Sequence, residues 1–72
     1  MNREEFLEKM IDILQVETEL SFDILLDELY EWDSLSKMST MVFLETAFGV
    51  KVSFAELSEM KTLDDLAKKV GI

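Results

Sequence analysis

The chain has 72 residues, 49% of them hydrophobic, which is enough for one small core and not for two. Sixteen Asp and Glu against seven Lys and Arg leave a net charge of −9, a field that repels phosphate backbones and anionic membrane surfaces and argues against nucleic-acid binding. With no Cys and no His there is no disulfide framework, no thiolate or imidazole metal site and no Ser-His pair, so most enzyme classes fall away.

Asn2-x-x-Glu5 has the form of a capping box, in which a side-chain oxygen takes a free backbone N–H and the later carboxylate reaches back. Behind it Phe6, Met10, Ile13 and Leu14 recur at helical spacing, with Leu7 and Ile11 widening the stripe, so a first helix is predicted over residues 3–15. The polar start carries no apolar run of signal-peptide length. No run elsewhere approaches the ~20 residues of a membrane span, and a soluble, cytoplasmic protein without membrane insertion is expected.

Residues 16–33 are long and non-periodic, holding Leu20, Phe22, Ile24, Leu25, Leu26, Leu29, Tyr30 and Trp32 among acids. The apolar content predicts that this connection packs against the bundle, with a short helical turn near 24–29. Connections of such length inside a small domain are uncommon and usually functional. This one delivers the chain to Trp32-Asp33-Ser34-Leu35, where a serine can either cap a helix or serve as a handle to which something is attached.

The longest apolar helix is predicted over 34–48, with Gly49 as a left-handed stop and Val50 folding back on the last turn. On a wheel of about 100° per residue, Thr40, Met41, Leu44, Ala47 and Phe48 share one side. Leu35, Met38 and Val42 share the other, together with Ser39, Glu45 and Thr46. A helix apolar on two faces is either wholly buried or has a second client. Met38 and Val42 either pack under the long connection or form a neutral docking face beside Ser34, on which methionine suits adaptable partner contacts.

Ser53-x-x-Glu56 opens a short helix with Phe54 and Leu57 pointing inward, and Thr62-x-x-Asp65 opens a final helix carrying Leu63, Leu66, Ala67 and Val70. Lys68 and Lys69 complement the dipole at its end. No strand pairing is required, and with no Pro and two Gly there is no linker, so one all-α domain over 1–72 is expected.

In this order of helices, Asp33-Ser34-Leu35 at the start of the second helix, Leu26-Asp27-Glu28-Leu29 before it and Phe48-Gly49-Val50-Lys51-Val52 after it resemble the acyl carrier proteins and the related peptidyl carrier domains. The resemblance covers nearly the whole chain. It implies a four-helix bundle of three main helices and one short one, in which Ser34 carries 4′-phosphopantetheine and cargo rides as a thioester on its thiol. It further implies a phosphopantetheinyl transferase that uses coenzyme A and Mg²⁺, with Asp33 assisting loading, an acyl- or aminoacyl-loading enzyme, and a downstream synthase or transferase. The protein itself would be a non-catalytic monomer.

Fatty-acid carriers resemble one another in placing several acids along the second helix. Here Ser36, Ser39, Thr46 and Ala47 stand in such places, Glu45 remains and Lys37 adds a positive charge. A nearly neutral docking face of Leu35, Met38, Val42, Ser39 and Glu45 fits a free-standing carrier of a specialised polyketide, nonribosomal peptide, modified amino acid or lipid pathway better than the housekeeping fatty-acid carrier. Two other classes share the composition: an unmodified helical interaction module that holds a partner through Leu35, Met38 and Val42, and a small enzyme using Asp33 and Glu31 for proton transfer.

Overall fold

A computed structural model describes residues 1–17 and 19–72; Thr18, inside the long connection, lies outside the described residues. Four α-helices follow in order: α1 (Arg3–Leu14), α2 (Ser34–Phe48), α3 (Phe54–Glu59) and α4 (Leu63–Lys69), with a 3₁₀ turn at Leu26–Glu28 in the connection between α1 and α2. The architecture is all-α, as expected, and α2 packs against both α1 and α3.

Each helix begins where the side chains can satisfy its free N–H groups. Asn2 and Glu5, Ser53 and Glu56, and Thr62 and Asp65 form the three predicted capping boxes. α1 ends one residue earlier than predicted, because Gln15 adopts the left-handed conformation at φ 55°. Gly49 does the same for α2 at φ 68°, where the absence of Cβ removes the steric cost, and the Val50 N–H reaches back to the Leu44 carbonyl at 3.4 Å.

The core is one cluster. Phe6, Met10 and Leu14 enter from α1, Leu44 from α2, Leu57 from α3, Leu63 and Leu66 from α4, and Leu20, Leu26 and Trp32 from the connection. Phe6 sits among three further rings, with centroids 6.3 Å from Phe22, 5.8 Å from Phe43 and 6.1 Å from Phe48, and each such pair adds about 0.5–1.5 kcal/mol beyond its burial. Of the two buried polar residues of α2, Ser36 and Thr40, the latter is fully buried, and its hydroxyl is satisfied by donating to the Ser36 carbonyl at 2.8 Å.

The long connection is fastened rather than merely collapsed. Its Leu26 N–H donates to the Lys61 carbonyl and the Asp64 N–H donates to the Phe22 carbonyl, both at 2.8 Å, and Leu25 forms an isolated antiparallel bridge with Thr62. One strand-like pairing therefore exists where none was required, because extended backbone on both sides of this contact leaves its polar groups to pair across it. At the other end Arg3 donates to Asp64 and to the Ile72 carbonyl, each at 2.7 Å, with its guanidinium over the Phe22 ring.

Several expected core positions face solvent. Leu25 and Tyr30 are exposed, the latter at 95%, although the connection as a whole packs inward. Ala47 is exposed too, leaving Phe43, which touches Phe6 and Phe48, to complete the inner face of α2. Phe54 is 40% exposed because it occupies the first position of a short helix, where its ring meets the Lys37 ammonium and Leu57 alone reaches the centre.

Candidate functional site around Ser34

At the start of α2 the cap is made by Asp33 and not by Ser34. The Asp33 backbone is extended at φ −112° and ψ −174°, and its carboxylate accepts the Ser36 N–H at 2.9 Å. In return the Asp33 N–H donates to the Ser36 hydroxyl at 3.0 Å, and that hydroxyl donates to the Glu31 carbonyl at 2.7 Å. Ser36 is buried and belongs to this cap, so it does not lie on the outer face of α2, where it was expected. The N–H of Ser36 is the foremost cause holding the Asp33 carboxyl below its ordinary range, so Asp33 is ionised at neutral pH.

Ser34 is the first residue of α2 and is exposed, and its hydroxyl makes no hydrogen bond to any described residue. Both predicted site residues thus stand together, one committed to capping and ionised, the other free. A group attached to Ser34 would lie at the positive end of the longest helix, in a first turn that carries no acid beyond the Asp33 cap.

From Ser34 an outer face runs along α2. Leu35 is 74%, Met38 58% and Val42 65% exposed, and Ser39 and Glu45 are exposed with them. Met38 and Val42 do not pack under the connection. α2 carries one Lys and one Glu, 1 − 1 = 0, so the helix is neutral within a chain of net charge −9.

Lys37 departs from the expectation of a charge on that face. It is half-buried, and its ammonium lies 5.7 Å from the Trp32 ring centroid, 5.5 Å from that of Phe54 and 3.4 Å from the Ser58 hydroxyl. The sequence gives no periodic signal for this arrangement, whereas the Asp33-x-x-Ser36 spacing did offer one for the cap.

Open grooves flank the face. One, of about 360 Å³, is bordered by Leu14, Tyr30, Asp33, Leu35 and Ser39 and mixes polar with apolar lining beside the attachment region. A second, of about 400 Å³, lies between α2 and the following segment, among Met38, Met41, Val42 and Val52, with the Glu45–Lys51 pair at 3.9 Å on its rim. A third, between α3 and α4, is lined by Glu56, Asp65, Lys68 and Lys69 and includes no residue of the Ser34 region.

No helix among the described residues is long and apolar enough to cross a membrane. Comparison with curated proteins and with solved structures gave no match. A family profile described as "Phosphopantetheine attachment site" matches residues 4–70, almost the full length of the chain. The chain therefore belongs to the phosphopantetheine-attachment family, whose members are not enzymes but carriers that hold acyl groups on covalently bound 4′-phosphopantetheine.

Proposed function

We propose that Ser34 is the residue that bears 4′-phosphopantetheine, that residues 1–72 act as one carrier domain, and that the protein serves a specialised biosynthetic pathway in the cytoplasm. The observation that carries this reading is the free, exposed Ser34 hydroxyl beside a cap made entirely by Asp33 and Ser36. The residues present fit the group: the acceptor oxygen is accessible, the helix N-terminus favours an anion, and no carboxylate other than the Asp33 cap stands in the first turn.

The chain contributes position and surface. A serine hydroxyl is a weak nucleophile without an adjacent base, and with no histidine in the sequence the base must come from a phosphopantetheinyl transferase. Asp33, held ionised next to the acceptor, supports loading in the manner of carboxylates at metal-dependent phosphoryl transfer. The bound arm supplies a thiol that holds cargo as a thioester; the bundle delivers it and raises its effective concentration at each enzyme it meets.

The face of Leu35, Met38, Ser39, Val42 and Glu45 is the proposed docking surface for the transferase, the loading enzyme and the downstream synthase or transferase. Its sparse charge, a single Glu45 with Lys51 at 3.9 Å, supports a dedicated pathway, polyketide, nonribosomal peptide, modified amino acid or specialised lipid, over the housekeeping fatty-acid one. Close contact is then apolar while the acidic remainder of the chain steers encounter. Incubation with coenzyme A, Mg²⁺ and a broad-specificity transferase tests the Ser34 assignment by intact mass. Wild type should gain one pantetheinyl group and Ser34→Ala none; loading of Ser34→Ala would overturn it.

A further inference from the structure

Lys37 is the one cation of α2, and among the described residues it forms no ion pair. Its ammonium is held instead against two rings, 5.7 Å from the Trp32 centroid and 5.5 Å from that of Phe54. Trp32 precedes α2, so one of the two rings that hold the Lys37 ammonium comes from the segment that leads into Ser34. Ser34 is three residues before Lys37, hence its neighbour on the helix surface.

We propose that Lys37 is the counter-cation of the phosphodiester on Ser34, leaving the Trp32–Phe54 seam to bind it when the group is attached; this rests on the reading of Ser34 as the attachment residue. The ring contacts lie close to the outer limit of about 6 Å for cation–π attraction, and the one polar contact of the ammonium among the described residues, to Ser58, is long at 3.4 Å. A phosphodiester oxygen offers the ammonium a charge-assisted hydrogen bond, which is stronger than either. The need for such a cation is local: the Asp33 carboxylate stays ionised one residue from the attachment point, and two anions at the head of one helix repel unless a cation stands between them. Lysine suits the task because its point charge rides on a flexible stem.

Attachment would then alter the contact between α2 and α3. With Lys37 withdrawn, Trp32 and Phe54 lose the cation between their rings. Proton NMR reads the move directly, since methylene protons next to a ring face are shifted upfield by it.

In the unmodified protein the Lys37 Cε protons should be upfield of ordinary lysine positions, and after phosphopantetheinylation of the wild-type chain they should return toward them. The phosphorus resonance of the loaded wild type should differ from that of loaded Lys37→Met, in which an uncharged stem occupies the same place. Lys37 protons that remain upfield after loading, or identical phosphorus resonances in the two loaded proteins, would overturn the proposal even though Ser34 carries the group. Fragmentation mass spectrometry on the same samples separates that result from failure of the Ser34 assignment, since a group found on another serine, or no added group, brings both readings down. The wild-type measurement stands whether or not Lys37→Met folds.

Discussion

The Asp33 carboxylate accepts the Ser36 N–H at 2.9 Å while the Asp33 N–H donates to the Ser36 hydroxyl at 3.0 Å, so these two residues close the head of α2 reciprocally around Ser34. The choice between a capping serine and a serine handle is thereby divided between two serines. Ser36 caps and Ser34 is left free.

Stability should follow that division. Ser36→Ala removes a buried hydroxyl that also donates to the Glu31 carbonyl, and should cost about 1–2 kcal/mol in urea unfolding. Ser34→Ala, which breaks no hydrogen bond, should unfold at the wild-type midpoint. Equal losses in the two variants would mean that Ser34 shares the cap.

The two faces of α2 should respond oppositely to substitution. On the inner face Leu44→Ala, like Phe6→Ala in the α1 core, empties a fully buried position and should cost ~2–5 kcal/mol, a large share of the stability of a domain this small. Met38→Glu and Val42→Glu place charge on an exposed face and should leave the thermal midpoint nearly unchanged while slowing transfer to the downstream enzyme. A collapse of helicity in either would assign that residue to the core.

Acid should weaken the fold through four carboxyls held below their ordinary range. Hydrogen bonds from the Ser36 N–H to Asp33 and from the Thr62 and Lys61 N–H groups to Asp65 lower two of them. Arg3 and then Lys68 lower Asp64, while Lys69 and then the Ser53 N–H lower Glu56. A carboxyl with a lowered folded pKa binds its proton less readily when folded than when unfolded. Its stabilisation is therefore complete above the ordinary value of about 4 and is lost as pH falls through that value toward the lower folded one. Melting temperature should drop as the pH falls below about 4, and Asp64→Asn or Asp65→Asn should flatten the drop. The same slope in both variants and wild type would remove these groups from the account.

Trp32 is buried, yet its indole N–H has no hydrogen-bond partner among the described residues. Trp32→Phe keeps most of the ring and removes the unpaired donor, so it should cost less than about 1 kcal/mol, whereas Trp32→Ala should cost ~3–5 kcal/mol. A loss for Phe as large as for Ala, measured by denaturant unfolding, would show that the indole N–H is engaged.

The legible parts of the fold were those written in local spacing. Asn2-x-x-Glu5, Ser53-x-x-Glu56 and Thr62-x-x-Asp65 place donor and acceptor one turn apart, and Gly49 marks a left-handed stop, so four helix boundaries follow from chemistry within a few residues. The Asp33–Ser36 box obeys the same spacing but has serine where the pattern expects Glu or Gln, so the sequence marks Asp33 or Ser34 as an N-cap without singling out Ser36 as its partner. The exposure of Leu25, Tyr30 and Phe54 and the place of Lys37 between two rings depend on how an irregular connection meets α3 and α4. No period encodes that meeting. Of the site, the adjacency of Asp33 and Ser34 and the outward Leu35, Met38 and Val42 were legible because a helix converts spacing directly into a face.

Fragmentation mass spectrometry of the loaded wild-type chain tests the central claim most directly, because it names the residue that carries the group among several exposed serines, Ser21, Ser34, Ser39, Ser53 and Ser58. The account predicts a single pantetheinyl group on Ser34 and none elsewhere. A group found on Ser39 or Ser53, or a chain that stays unmodified under conditions that load another carrier of the family, would contradict it.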